Sequence, residues 1–230
     1  MIEGILPSKA TGVDMFGDAT SKLIFEEEEE QIREAVPKRR NEYISVRCCA
    51  RIALHRMGLP PSPLPKGIGG APRWPWGVVG SMTHCVRYRA AATAFSSDYS
   101  SIGIDAERNV KLPDEVTPLV ITRHEEALLR QLRESPFPVQ WDTLLFCSKE
   151  ALFKAWYPIT KEWLGFEDAH ISLTAEPHST PSSSRGAFHA RPSREFENKS
   201  EDRTGFFPSM RGKWQCRDGI ITTCAYVEAR

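Results

Sequence analysis

Pro37 and the sequence Gly58…Pro60-Pro61 bracket a stretch that reads as one long helix with a single buried side. Proline is preorganised for the first helical position, whereas glycine followed by prolines ends a helix. At 100° per residue, Tyr43, Val46, Ala50, Ala53, Leu54 and Met57 fall on one apolar stripe, which demands a partner layer. Arg40, Arg47, Arg51 and His55 form an adjacent basic stripe, interrupted only by Ile44. That stripe is either a solvated face or a phosphate-binding face, and spacing alone does not choose. Residues 60–75, PPSPLPKGIGGAPRWP, then read as loop and turns.

Around this helix the pattern alternates between periods. Val78 to Thr83, Arg89 to Phe95 and Ser101 to Glu107 read as strands. Glu115 to Arg133 reads as a helix with His124-Glu125-Glu126 on its polar side. Trp141 to Trp156 reads as another, with Leu144, Leu145, Cys147, Ala151, Leu152 and Ala155 available for burial. Ile171–Thr174 is a short strand, and Gly212–Cys216 and Ile220–Val227 form a hairpin through Asp218-Gly219. Residues 1–20 show no periodicity and read as a loose arm. Glu26–Glu30 reads as the solvated first turns of a helix, where carboxylates favour the positive dipole end. Residues 176–205 read as a polar surface insertion, with only Ala187-Phe188-His189 as a strand core. Helices and strands mixed in both halves give the class α+β.

Charge and cysteine usage narrow the function. The 230 residues carry 30 basic and 30 acidic side chains, so a strongly basic nucleic-acid coat is excluded, while a local basic pocket is not. No apolar run approaches the roughly 20 residues of a membrane span. The N-terminus lacks a basic start followed by an apolar core, so no secretory signal is expected. Six cysteines form no C-x-x-C pair and have no histidine at zinc spacing, which predicts reduced thiols in the cytoplasm.

Three constellations carry chemistry. In a strand, side chains two apart share a face, so Asp105 and Glu107 present paired carboxylates between the anchors Ile104 and Ala106. Such a pair is either a solvated edge or an oxygen-only site that suits Mg²⁺ and substrate phosphates. Glu150 and Lys154 are four apart on one helix face, and Lys149 adds a second lysine among Trp141, Phe146, Phe153 and Trp156. This is either a routine ion pair or the third carboxylate and the lysines of a metal–pyrophosphate site. Thr83 and His84 close a strand with a hydroxyl and an imidazole; His84 and Cys85, as strand neighbours, face opposite ways and make no nucleophile pair. A non-catalytic nucleotide- or carrier-protein-binding module and a metal-dependent phosphodiesterase use similar parts.

In this order the pieces resemble the larger, single-chain 4′-phosphopantetheinyl transferases that serve siderophore, polyketide and nonribosomal peptide synthetases. The likeness rests on Lys38-Arg39-Arg40…Arg47…Arg51, Lys66-Gly67-Ile68-Gly69-Gly70-Ala71-Pro72…Trp74-Pro75, Gly80-Ser81-Met82-Thr83-His84, Gly103-Ile104-Asp105-Ala106-Glu107 and Lys149-Glu150-Ala151…Lys154-Ala155. Trp163 to Ala169 extends it. The resemblance implies two similar α+β halves, residues 1–104 and 105–230, forming an intramolecular pseudo-dimer with the site in the cleft between them. It implies Asp105, Glu107 and Glu150 as ligands of Mg²⁺, with Mn²⁺ as a substitute, and Glu150 as general base. It implies Lys149 and Lys154 on the pyrophosphate of coenzyme A, and Arg39, Arg47, Lys66, Thr83 and His84 on the 3′-phosphate and nucleotide. Gly70 and its neighbours would let backbone approach the adenine. Arg40 and Arg51 could as well be solvated partners of Glu34 or Glu42, and Ala106 leaves a gap in the acidic triplet that a water would fill. The implied partner is an apo acyl or peptidyl carrier protein, docked near Arg123, His124 and Phe137 by a monomeric enzyme.

Overall fold

The computed structural model describes residues 1–20, 23–176, 183–193, 196 and 210–229. In the N-terminal half, strand β1 (Thr11–Phe16) and short helix α1 (Glu26–Glu30) precede the long helix α2 (Pro37–Arg56). Strands β2 (Val78–Cys85) and β3 (Tyr88–Phe95) follow and complete an antiparallel sheet of order β1-β3-β2. The apolar stripe read from the sequence packs α2 on this sheet: Cys49, Ala50, Ala53 and Leu54 meet Val13, Val78 and Ala91.

The C-terminal half repeats the plan with a larger sheet. Strand β4 (Tyr99–Arg108) is followed by α3 (Thr117–Val120), α4 (Arg123–Arg133) and the long helix α5 (Trp141–Thr160). Strands β5 (Ala169–Ala175), β6 (Ser183–Pro192), β7 (Arg211–Arg217) and β8 (Ile220–Glu228) join β4 in the order β4-β8-β7-β6-β5, all antiparallel. α5 lays Leu144, Leu145, Cys147, Ala151 and Leu152 on that sheet, around Phe188 and Trp214. Each half is thus a long helix on an antiparallel sheet, and β2 lies against β4 where the halves meet.

A third core layer joins the halves. Alternate residues of β3 face opposite sides. Ala91 turns toward α2, whereas Tyr88, Ala90, Ala92 and Ala94 turn toward Ile102, Ile104 and Ala106 of β4. The run of alanines in β3 reflects burial on both faces.

Four expectations change. Residues 1–20 are not a loose arm, because Ile2 and Ile5 are fully buried in the joining core and β1 pairs with β3. A boundary after residue 104 would cut β4, which pairs with β8 without a break from Ser101 to Arg108; the change of sheet comes at the turn between Phe95 and Tyr99. The expected 115–133 helix is broken between α3 and α4, where Thr122 and Glu125 form a capping box that starts a new helix. Within 176–205, residues 183–192 form β6, a strand paired on both sides; residues 177–182, 194–195 and 197–205 of that segment lie outside the described residues. The Asp218-Gly219 hairpin stands as read, with φ of 52° and 73°, the left-handed values that a two-residue turn between twisted strands requires.

Gly103 sets how closely β4 approaches α5. A Cβ there would lie 2.1 Å from the Ala151 carbonyl oxygen and 2.5 Å from the Ala155 amide nitrogen. Strand and helix therefore touch backbone to backbone, two residues from Asp105 and one from Glu150. Neither backbone can yield locally, so Gly103→Ala should cost about 1–3 kcal/mol, the range of core overpacking. Chemical denaturation checks this, and an unchanged midpoint would show that the helix slides freely on the strand.

Candidate active site

The seam between β2, β4 and α5 gathers the acids. Asp105 is buried, and its Oδ1 accepts a hydrogen bond from Thr83 Oγ1 at 3.0 Å and from Lys154 Nζ at 2.6 Å. Thr83 Oγ1 in turn accepts from the Ala106 amide at 3.1 Å. Asp105 Oδ2 is buried with no hydrogen-bond partner. Burial and the Asp105 charge push the Glu107 carboxyl up to about 7, against Lys154, with Glu150 adding to the rise. Burial and Asp105 raise Glu150 as well, again opposed by Lys154. Burial opposes the Lys154 charge, but Asp105 and Glu150 hold it above its ordinary value. The three acids thus share one electrostatic neighbourhood with Lys154 among them.

The donor set fits a hard divalent cation: oxygen atoms only, crowded like charges, and one buried carboxylate oxygen without a partner. The side chains are not drawn into a ring, for among the described residues no three His, Cys, Asp or Glu groups converge at metal-holding spacing. The Lys154 ammonium stands on Asp105 instead.

A second, basic group of side chains gathers around Tyr43. The Arg47 guanidinium sits 3.2 Å over the Tyr43 ring, and Lys66 Nζ is 5.3 Å from it. Arg47 is buried and donates through Nε to the Leu64 carbonyl at 2.8 Å; burial pushes its pKa down to about 10. Arg39 donates to His84 Nε2 at 3.0 Å, and His84 also lies 3.2 Å from Glu42. Burial, and then Arg39 and Arg47, lower Lys66. Arg39, Arg47, Lys66 and His84 are therefore brought together. Beside them Gly69 and Gly70 take φ of 68° and 79°, and a Cβ on Gly69 would lie 2.2 Å from the Tyr157 hydroxyl of α5.

Residues 27–94 match the model of the 4′-phosphopantetheinyl transferase N-terminal domain, and residues 101–205 that of the 4′-phosphopantetheinyl transferase superfamily. The chain is 43% identical, over its whole length and 90% of the relative's, to 4′-phosphopantetheinyl transferase Svp of Streptomyces mobaraensis. It is 42% identical to Npt of Nocardia iowensis, over 98% of this chain and all of that one. It is also 42% identical to PptT of Mycobacterium tuberculosis, over 91% of this chain and 88% of the relative.

The chain belongs to the 4′-phosphopantetheinyl transferase superfamily. It is a transferase that moves the phosphopantetheine arm of coenzyme A to carrier proteins, not a phosphodiesterase or a binding module. The two family models part between residues 94 and 101, where the structure changes sheets.

Four side chains of this transferase do something other than the sequence suggested. Lys149 does not face the acids. It is buried, and its Nζ donates to Glu125 at 2.8 Å, to the Val120 carbonyl at 2.8 Å and to the Phe166 carbonyl at 2.7 Å, which uses all three protons. Thr83 spends its hydroxyl on Asp105 and Ala106 and so acts on the acid side of the cleft. Arg51 is buried on Glu28 at 2.9 Å, and Arg40 pairs with Glu29 at 2.6 Å, so neither serves Glu34 or Glu42.

Four positions escaped the sequence reading. Glu28, inside the acidic run, is fully buried and also accepts from the Leu64 amide at 2.7 Å. Glu125 accepts from Lys149, from the Thr122 amide and hydroxyl, and from the Ile171 amide, each at 2.8–2.9 Å. Gln31 and Tyr157 touch the glycine loop. Only Glu125 had a legible signal, the Thr122-x-x-Glu125 spacing of a capping box.

The raised Glu107 carboxyl gives a measurable pH signature. Its folded value of about 7 exceeds the ordinary 4.5, so the fold favours the protonated form. Its contribution to metal-free stability is full below the ordinary value and is lost as pH rises through about 7. Carbon-13 NMR of metal-free protein should show a Glu107 midpoint near 7 that drops in Asp105→Asn. A wild-type midpoint near 4.5, or one indifferent to Asp105, would contradict the coupling.

Proposed function

We propose that coenzyme A lies across the cleft, its nucleotide end against Arg39, Arg47, Lys66 and His84 and its pyrophosphate against Lys154. The supporting observation is a buried Asp105 oxygen without a partner beside two carboxyls of raised pKa and one lysine. Asp105, Glu107 and Glu150 would hold Mg²⁺, or Mn²⁺ in its place. That ion supplies charge neutralisation at the pyrophosphate and at the departing 3′,5′-ADP.

Each side chain then has a task. Glu150 takes the proton from the carrier serine hydroxyl, and burial makes it a stronger base than an exposed carboxylate. The serine oxygen bonds to the β-phosphorus as the bond to 3′,5′-ADP breaks. Lys154 balances the phosphate charge. Arg39 and Arg47 suit the 3′-phosphate because guanidinium groups bind phosphate through two parallel donors. Thr83 holds Asp105 in place. Lys149 acts at a distance, tying α5 to Glu125 next to Glu150.

A cavity of about 210 Å³ opens beside Glu150, walled by Phe153, Trp163, Leu164 and Phe166. Its largely apolar lining, which includes Glu150, suits a pantetheine arm whose phosphate lies at the acids. Carrier protein would dock at the exposed Arg123 and His124, with Phe137 half-buried beside them. Carrier domains are acidic, so a basic rim complements them. All six cysteines are free, in keeping with a reducing cytoplasm, and the presence of both halves in one chain supports a monomer. Among the described residues no helix is long and apolar enough to cross a membrane.

Incubation with coenzyme A, Mg²⁺ and an apo-carrier protein, followed by intact mass, tests these roles. Wild type should add one phosphopantetheine arm, chelation should stop transfer and Mg²⁺ restore it. Glu150→Gln should abolish transfer while the circular dichroism spectrum is retained. Robust transfer by that variant would refute the base and ligand role.

The docking surface has its own test. Arg123→Glu should raise KM for carrier protein and leave KM for coenzyme A unchanged. An unaltered carrier KM would remove the docking site.

A further inference from the structure

The loop that carries Lys66 closes on itself. The Gly67 amide donates to the Ala71 carbonyl at 2.7 Å, the Arg73 amide to the Pro65 carbonyl at 2.9 Å, and Lys66 bridges to Pro72. Those bonds give the loop its shape but not its place relative to α2. Burial works against the Lys66 charge in that place, and the neighbouring charges of Arg39 and Arg47 disfavour it further. Something outside the loop must hold it there.

Gln31 does so. Its side-chain Oε1 accepts from the Lys66 amide at 2.7 Å, and its Nε2 donates to the Lys66 carbonyl at 3.1 Å. The Tyr43 hydroxyl donates to the same Oε1 at 2.9 Å. A backbone amide can only donate and a carbonyl can only accept, so these partners dictate which way the glutamine amide points. It pairs with residue 66 as a neighbouring strand would. One turn earlier on the same acidic segment, Glu28 accepts from the Leu64 amide, two residues before Lys66. Amides two apart in extended chain point the same way, so the segment grips one edge of the chain at both places. Glu28 is itself anchored to α2 through Arg51 at 2.9 and 3.1 Å. At the far end of the loop, Gly69 rests against Tyr157.

We propose that Gln31 is a positioning residue for coenzyme A binding, clamping the backbone of Lys66 so that its ammonium stays among Arg39 and Arg47. The inference rests on the reading above that Lys66 holds the nucleotide end. It adds a residue outside the phosphate-binding cluster, on the segment between the acidic run and α2, that sets affinity for one substrate and not the other.

A double-mutant cycle tests it. Gln31→Ala, and Gln31→Met, which keeps the length but not the polar atoms, should each raise KM for coenzyme A about tenfold, the equivalent of one charge-assisted hydrogen bond. KM for carrier protein and kcat should stay put, and so should the melting temperature, since the Gln31 side chain lies at the surface. Lys66→Ala should raise the same KM, and adding Gln31→Ala to it should raise it no further, because both changes remove one contact. A KM that moves in Lys66→Ala but not in the Gln31 variants overturns the clamp alone. A KM unmoved in Lys66→Ala overturns the role of Lys66 and the clamp with it. Additive effects, or a loss shared by both substrates, also overturn it.

Discussion

Where the two halves of this transferase meet, one carboxylate oxygen is bonded to both. Asp105 Oδ1 receives a hydroxyl from β2 and an ammonium from α5 while its own strand lies between them. Burying that carboxylate is costly unless both bonds form. Each bond comes from a different half, so the site exists only when the halves are docked. The second oxygen is left without a partner, and burial together with the Asp105 charge holds Glu107 and Glu150 toward their protonated forms. With all three carboxylates ionised, three negative charges face the single charge of Lys154, an excess of two that a divalent cation would offset.

Two further buried carboxylates do the mechanical work. Glu28 fastens α1 to Arg51 of α2 and to the chain at Leu64. Glu125 fastens α4 to Lys149 of α5 and to β5 at Ile171. Each pairs with a base on one of the two long helices and with a backbone amide of a neighbouring segment. Removing one partner of such a pair leaves a buried charge uncompensated, which is why these contacts hold their surroundings firmly. The first fixes the chain that leads to Lys66, and the second fixes the helix that carries Glu150.

The elements were legible wherever periodicity was clean. The apolar stripe of α2, the buried face of α5 and the Asp-Gly hairpin follow from helical spacing, helical spacing and turn chemistry respectively. The Asp105–Glu107 pair followed from the period of a strand. Lys149 shows where the reading fell short for a reason that geometry supplies. It is adjacent to Glu150 in sequence, hence about 100° away around the helix, whereas Lys154, four residues on, shares the Glu150 face. Glu28 and Glu125 were not legible as buried, because a charged residue looks the same in sequence whether water or an arginine satisfies it. The strand β1 was missed because its apolar residues are few and its burial is supplied by Ile2 and Ile5 beside it.

Crystals grown with coenzyme A and Mn²⁺, measured at the manganese absorption edge, examine the central claim directly. An anomalous peak bounded by the carboxylates of Asp105, Glu107 and Glu150, with Lys154 turned from Asp105 toward the pyrophosphate, is the result this account requires. A peak held by other side chains, or a pyrophosphate bound with Lys154 still on Asp105 and no metal between the acids, would contradict it.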